Sequence, residues 1–536
     1  MLPGSAIGRP TATRFELQVG HFMTNCQNIA VLIVGAGPTG LTLACDLARR
    51  KVSFRIVDKA PKYFAGSRGK GLQPRSLEVL DDLGVVDQVL ANGRFHLPFR
   101  GYDGATVLGD HDMHEGRVPT PDVPYASPLL IPQWRVEEIL RNRLAEDGGR
   151  VELATELIGF KQDGDGVTAT LVQSGVTEQV FARYMVGADG GHSFIRKEVG
   201  VGFEGDTWKS ERMLLGDVRV DGLDREHWHS WPKHTAGWVA LCPLPSTDSF
   251  QFQAQIPAKE SDQPTLERFQ QIIDERTGRS DIRLYDATWL SLYRVNVRMV
   301  DRYRVSRAFL AGDAAHVHSP AGGQGMNTGI QDAYNLGWKL NQVLAGAPDA
   351  LLDTYEEERL PVAASLLGIT TKLHRQVLSG NLSEPRRGPE TLQLGINYRG
   401  SSLAHEEGDR PAKTHAGDRA PDAPCSNPDG TSTRLFDAFR GTHFTLLAFG
   451  TCHLATVKAV NHRYGAVVHA NSVLRADEPT GSASPNATLF DTEGYAYSSY
   501  DAKDGMLILV RPDGYIGFVT HDLSTVHTYL EYLIAQ

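Results

Sequence analysis

The 17 residues from Ile29 to Cys45 carry no charge, and this run constrains the fold more than any other stretch of the chain. It falls short of the roughly 20 apolar residues that a membrane-spanning helix needs. Gly35, Gly37, Pro38 and Gly40 also interrupt it. It reads instead as a buried strand over 29–34, a turn Gly35-Ala-Gly-Pro-Thr-Gly40, and a helix faced by Leu41, Leu43, Ala44, Leu47 and Ala48. A second strand over 52–57 ends on Asp58. In a G-x-G-x-x-G turn the first glycine permits the tight bend and the second lets backbone approach a pyrophosphate. The third lets helix and strand pack closely. Free N–H groups at the helix start favour the anion. Asp58 stands 18 residues after Gly40, near the spacing at which a carboxylate accepts a hydrogen bond from a ribose hydroxyl. The unit predicts adenine dinucleotide binding and leaves NAD or FAD open.

The rest of the chain bounds the setting. At roughly 150 residues per domain, 536 residues make three to four domains. A net charge of −10 argues against nucleic acid or an anionic membrane surface as partner. Cys26, Cys45, Cys242, Cys425 and Cys452 lie far apart with no C-x-x-C pair, so neither a disulfide framework nor a structural zinc is expected, and the setting reads as a reducing cytoplasm. Residues 1–22 lack the apolar core of a secretory signal, and residues 1–27 read as a disordered extension.

Two later segments resolve the cofactor. Residues 181–187 read as a strand closed by Ala188-Asp189-Gly190-Gly191, with Arg196 opening a helical continuation. Residues 307–311 read as another strand, which ends in Gly312-Asp313-Ala314-Ala315-His316. A loop over 319–327 and a helix from about Thr328 to Leu344 follow. A strand that delivers one carboxylate into a glycine-rich turn before a helix suits a polyol chain, which the carboxylate binds through its hydroxyls.

In this order GAGPTG (35–40), GADGGHSFIR (187–196) and FLAGDAAHVHSPAGGQGMNTGIQDAYNLGWKL (309–340) resemble the class A flavoprotein monooxygenases. These are the FAD-dependent aromatic hydroxylases related to para-hydroxybenzoate hydroxylase, and the nearer likeness is to the phenol hydroxylase and pentachlorophenol monooxygenase branch. The resemblance covers about residues 29–370 and the C-terminal unit. It implies that Gly35, Gly37, Pro38, Thr39, Gly40, Asp58 and Lys59 hold the ADP half of FAD. Gly312 and Asp313 would contact the ribityl and pyrophosphate region, and backbone at Gly325, Met326 and Asn327 would face the flavin pyrimidine ring. Asp189 would support flavin placement and use of the nicotinamide nucleotide, Arg68 would lie near the pyrophosphate, Gln133 would touch the ribityl chain, and Pro320 would flank the isoalloxazine. The single dinucleotide fingerprint then belongs to FAD, so NADH or NADPH, as a transient co-substrate, would cross a surface groove.

The resemblance implies an NAD(P)H-using monooxygenase that hydroxylates an aromatic, phenolic or polyketide-type substrate with O2 through a flavin C4a-hydroperoxide. A free phenol titrates near pH 10, so chemistry at neutral pH calls for a base or hydrogen-bond relay. Tyr293 matches a tyrosine that sits over substrate in the phenol hydroxylase branch. Lys70 stands where that branch has an aspartate, which weighs against its acid/base pair and admits an anionic substrate. His316 and His318 read as loop-stabilising rather than catalytic, and the segment 226–231 as buried surface or pocket lining. Baeyer–Villiger or antibiotic-inactivating oxygenation, and a non-catalytic FAD-binding redox sensor, are the alternatives. No metal site is expected.

The expected fold is α/β. A Rossmann-type FAD-binding domain takes residues 28–204 and 299–378, and a connector rich in Gly, Pro and Ser takes 379–410. Residues 205–298 alternate polar and apolar, as in Phe250-Gln-Phe-Gln-Ala254, and form an antiparallel substrate-binding sheet covered by a helix over 266–276. Residues 411–536 resemble the thioredoxin-like C-terminal domain of the phenol hydroxylase branch, without redox cysteines, and serve packing or homodimerisation.

Overall fold

The structure, a computed structural model, describes residues 27–257, 263–319, 322–378, 388–408, 411–478 and 484–534. The first strand, Gln27–Val34, lies in the middle of a sheet and pairs in parallel with Phe54–Val57 on one side and Val176–Gly187 on the other. Val31, Leu32 and Ile33 are buried on both faces, which is why the strand reads as a continuous aliphatic run. Ala308–Leu310 adds in parallel beyond Val176–Gly187, so the ends of three strands carry Gly35, Ala188 and Gly312 to one edge of the sheet. Ligands of open α/β sheets bind at this carboxyl edge.

A second sheet of eight strands orders His316–Val317, Arg283–Met299, Glu204–Asp221, Phe250–Ile256, Val239–Pro243, Trp228–Trp231, Phe99–Asp103 and Thr106–His111. All its pairings are antiparallel except that of Trp228–Trp231 with Phe99–Asp103. One face buries Leu214, Val218, Phe250, Phe252 and Leu241 against Phe269, Ile272 and Ile273 of the helix Leu266–Thr277. The other face looks toward the first domain.

The structure moves two boundaries away from those read in the sequence. The hairpin Phe99–Asp103 and Thr106–His111 lies inside the 28–204 range yet belongs to the second sheet, where Phe99 stacks on Trp228 at 4.3 Å and Tyr102 on Trp231 at 4.6 Å. Its outer strand is exposed at nearly every residue, so no alternation marks it. At the other end, His405–Glu406 pairs with Ile516–Thr520, so the third sheet begins before residue 411. In that sheet Phe444–Phe449, the helix Leu454–Tyr464 and Val468–Arg475 form a parallel βαβ unit. Leu507–Val510 and Ile516–Thr520 form a hairpin, followed by the helix Leu523–Leu533. The expectations for residues 1–26, 379–387, 409–410 and Pro320 fall outside the described residues, and Gln27 already opens the first strand. Among the described residues no helix is long and apolar enough to cross a membrane.

Candidate active site

The glycine turn does what its spacing demands. Gly35 has φ of +105°, and a Cβ on it would lie 2.2 Å from the Ala188 carbonyl oxygen. A Cβ on Gly40 would lie 1.9 Å from the Gly35 carbonyl oxygen, whereas around Gly37 nothing stands within 4 Å. Two glycines are consumed by packing, and the middle one faces open space. The helix Pro38–Arg49 has no side-chain cap, and Pro38 has no N–H, so the first-turn donors that follow are left for an anion. Asp58 accepts from Ala36 N through Oδ2 and from Ala60 N through Oδ1, both at 2.8 Å. Each oxygen keeps a lone pair for a hydroxyl. Lys59 beside it is exposed.

The opposite wall is the turn after Ala308–Leu310. Gly312 has φ of +60°, and a Cβ on it would meet Thr39 Oγ1 at 2.5 Å. A Cβ on Gly329 would meet the same oxygen at 2.3 Å, so Thr39 is the wedge between the two motifs. The buried Asp332 fixes this junction by accepting from Gly312 N (3.0 Å), His316 Nε2 (2.7 Å) and Arg359 Nε (2.7 Å). Burial pushes its carboxyl up, but Arg359 and His316 outweigh that and hold it at about 2. Asp313 turns the other way and keeps a solvent-facing surface in the cleft. Desolvation there raises its carboxyl, opposed by His316 and Arg68.

The floor joins residues far apart in sequence. Gln133 accepts from Gly69 N (3.0 Å) and donates to Glu137 (2.8 Å), whose carboxyl burial raises to about 7 against Gln133, Arg141 and Arg68. Arg68 is exposed, with its guanidinium 4.7 Å above the Phe64 ring. The helix Gly325–Leu344 starts three residues earlier than the sequence suggests, and it too has no side-chain cap. Its first turn, Gly325-Met326-Asn327, therefore presents N–H groups that no side chain caps among the described residues. The Asn327 side chain is occupied elsewhere, accepting from Gln73 N and donating to the carbonyls of Gly71 and Gly323. Met326 Cε lies 3.7 Å from a Cβ built on Gly69. Asp189 accepts from Phe194 N and Ile195 N through Oδ2, while its buried Oδ1 has no partner among the described residues.

The free face of the second sheet forms the roof. Its register sets Tyr293, Met213 and Gln255 in one row, Ser291, Leu215, Gln253 and Ala240 in the next, and Trp289, Asp217, Gln251 and Cys242 in a third. Tyr293 donates to the His318 carbonyl at 3.3 Å, and burial raises its hydroxyl, as does the nearby Asp313. Tyr293 is therefore a neutral group at the cleft. Gln253 donates to Gln251 at 2.8 Å, and Gln251 also accepts from Lys70 Nζ. Lys70 lies 4.2 Å from the Trp228 ring centroid, so its ammonium is held against the roof. His316 and His318 are buried and bonded within the junction, in keeping with a stabilising role.

The structure brings Gly35, Gly37, Thr39, Gly40, Asp58, Gly312, Asp313, Gln133 and Met326 around one cleft, together with Asp332, Glu137, Asp217 and Gln253, which the sequence does not single out. Asp332 had a signal, a carboxylate on the inward face of a nearly uncharged helix stretch.

Two uncapped helix starts, open space at Gly37 and an orphan carboxylate oxygen at Asp189 fit an extended dinucleotide. The chain belongs to the FAD binding domain family, whose profile matches residues 28–370. Within that family it is a flavin-dependent monooxygenase, an oxidoreductase that uses FAD. A "Flavin-dependent monooxygenase" of Mycobacteroides abscessus is 46% identical over 510 residues, covering 94% of this chain and 99% of that one. Pentachlorophenol 4-monooxygenase of Sphingobium chlorophenolicum is 32% identical over 519 residues, covering 91% and 93%. The crystal structure of aklavinone-11 hydroxylase in a ternary complex with FAD and aklavinone superposes with a TM-score of 0.82 at 28% identity, covering 96% of this chain and 100% of that one.

Proposed function

We propose that the enzyme hydroxylates a fused-ring, phenolic or polyketide-type aromatic in the cleft beneath the second sheet, with NAD(P)H and O2 as co-substrates. The observation that carries this reading is the roof. Tyr293 and Gln253 lie two strands and one residue pair apart, roughly 12 Å at ordinary sheet spacings. One phenol ring leaves that span unfilled, and several fused rings fill it. Met213 and Leu215 between them offer an apolar surface for ring faces, and the two polar ends suit oxygenated ring edges. The relative solved with aklavinone supports the same size class.

The residues divide the work by position. The first turn of Pro38–Arg49 and Asp58 would hold the ADP half of FAD, and Asp313, Gln133 and the first turn of Gly325–Leu344 would hold the flavin end. When bound, FAD supplies the redox chemistry with NAD(P)H and O2. The chain's own task is to orient the aromatic ring and keep water out. Tyr293, neutral and donating its own proton to the His318 carbonyl, keeps an oxygen lone pair with which to accept from a phenolic hydroxyl and so orient the ring. The four described cysteines are free thiols, in keeping with a cytoplasmic setting.

The test is NAD(P)H and O2 consumption by the purified protein across simple phenols and fused-ring polyketide aromatics. Stoichiometric consumption stimulated by the fused-ring set, with a product one oxygen heavier, is expected. Oxidation of NAD(P)H that no aromatic accelerates would contradict the reading.

A further inference from the structure

On the pocket side of Glu204–Asp221, the Asp217 side chain is 1% exposed. Its Oδ2 accepts from Ser67 N at 2.8 Å, and its Oδ1 has no hydrogen-bond partner among the described residues. An acid in such a place is costly, and a leucine would serve packing better. What the carboxyl touches is the loop 66–71. Gln251, its neighbour across the strands, donates to the Ser67 carbonyl and accepts from Lys70 Nζ, so the loop is stitched to the sheet at Ser67 and Lys70. Gly66 is pressed on Trp289, where a Cβ would come within 2.7 Å of the indole.

The other edge of the same loop belongs to the cofactor. Gly69 N donates to Gln133, Arg68 bears on the Asp313 carboxyl, and Gly69 abuts Met326. One strip of six residues therefore has the substrate roof on one side and the FAD residues on the other. We propose that Asp217 is a positioning residue for FAD: by fastening Ser67 to the sheet it sets where Arg68 and Gly69 meet the cofactor. This deepens the reading of the cleft given above and rests on it.

Burial raises the Asp217 carboxyl to about 6, opposed by hydrogen bonding from Ser67 and the charge of Lys70. The groups facing it are Lys70 from the loop, Cys242 from Val239–Pro243, Gln251 from Phe250–Ile256 and Trp289 from Arg283–Met299. A carboxylate accepts from an N–H more strongly than a carboxylic acid, so protonation loosens the loop.

FAD affinity, read from quenching of flavin fluorescence between about pH 5 and about pH 8, tests this. The wild-type protein is expected to bind several-fold more weakly at the acid end. Asp217→Asn should bind with the weaker affinity throughout and lose the step near pH 6. Asp217→Ala should bind roughly tenfold more weakly at neutral pH. Glu137 titrates in the same range but is intact in every variant, so the difference between profiles belongs to Asp217. Equal affinities and equal profiles for wild type and Asp217→Asn would overturn the proposal, and that variant decides the matter even where Asp217→Ala fails to fold. Asp313→Ala run alongside tests the parent reading separately: undiminished affinity there would sink the assignment of the cleft itself.

Discussion

Tyr293 carries the only hydroxyl in its row of the roof, and burial together with Asp313 keeps that hydroxyl protonated. Tyr293→Phe keeps the ring and removes the hydroxyl. Substrate hydroxylation is expected to slow by about tenfold or more while FAD affinity stays within about twofold, a split measured by turnover beside flavin titration. Equal turnover would take Tyr293 out of the site. Glu137 gives a prediction in stability. Its carboxyl is raised from 4.5 to about 7, so the folded state favours the protonated form. The contribution is fully present below the ordinary value and is lost as pH rises through about 7, a difference of about 3 kcal/mol. Glu137→Gln is therefore expected to melt higher than wild type at about pH 8 and nearly level with it at about pH 4, and thermal melts at both pH values check this. A gap that does not change with pH would contradict the buried assignment.

At the scale of elements, the glycine turn makes the sharpest contrast. Gly40→Ala places a methyl 1.9 Å from the Gly35 carbonyl, so loss of soluble folded protein is expected. Gly37→Ala meets nothing within 4 Å, so a folded protein with weakened FAD affinity is expected. Circular dichroism and flavin titration of the two variants separate these outcomes. This contrast was legible in the sequence because each glycine acts within one turn, and the strand before it and the helix after it announce themselves by local pattern. The Phe250–Ile256 alternation likewise exposed a two-faced strand. What Gln253 and Asp217 do was not legible, because their meaning comes from cross-strand register and from the loop at Ser67, 150 residues away from Asp217 in the chain. Asp332 acquires its role only when Arg359 and His316 fold against it. The start of Gly325–Leu344 was placed late because Gly325 and Asn327 are poor helix formers, and tertiary packing overrides that preference.

Across the whole molecule, a fully buried ionic cluster fastens the C-terminal unit to the cofactor helix. Lys339 Nζ pairs with Glu358 at 2.7 Å, Arg511 pairs with Glu358 at 2.6 Å and with Asp513 at 2.5 Å, and Trp338 donates to Asp513 at 3.0 Å. Lys339 and Trp338 lie on Gly325–Leu344, so the turn at Arg511–Tyr515 braces the helix whose first turn faces the flavin. Burial lowers the Lys339 ammonium to about 8 despite Glu358, a sign of how dry the cluster is. Removing one partner leaves the others charged and alone, so Arg511→Ala is expected to cost about 3–5 kcal/mol and to lower FAD retention on dialysis. Unchanged melting and flavin content would show that the C-terminal unit is not coupled to the site.

The proposed activity requires one cleft to hold FAD at its floor and an aromatic ring under its roof. The most direct measurement is incubation of the purified flavin-loaded protein with NAD(P)H, a fused-ring phenol and isotopically heavy oxygen gas, with mass analysis of the product. One heavy oxygen atom in the aromatic product is expected. Reduced heavy oxygen recovered only as hydrogen peroxide, with every aromatic unchanged, would contradict it.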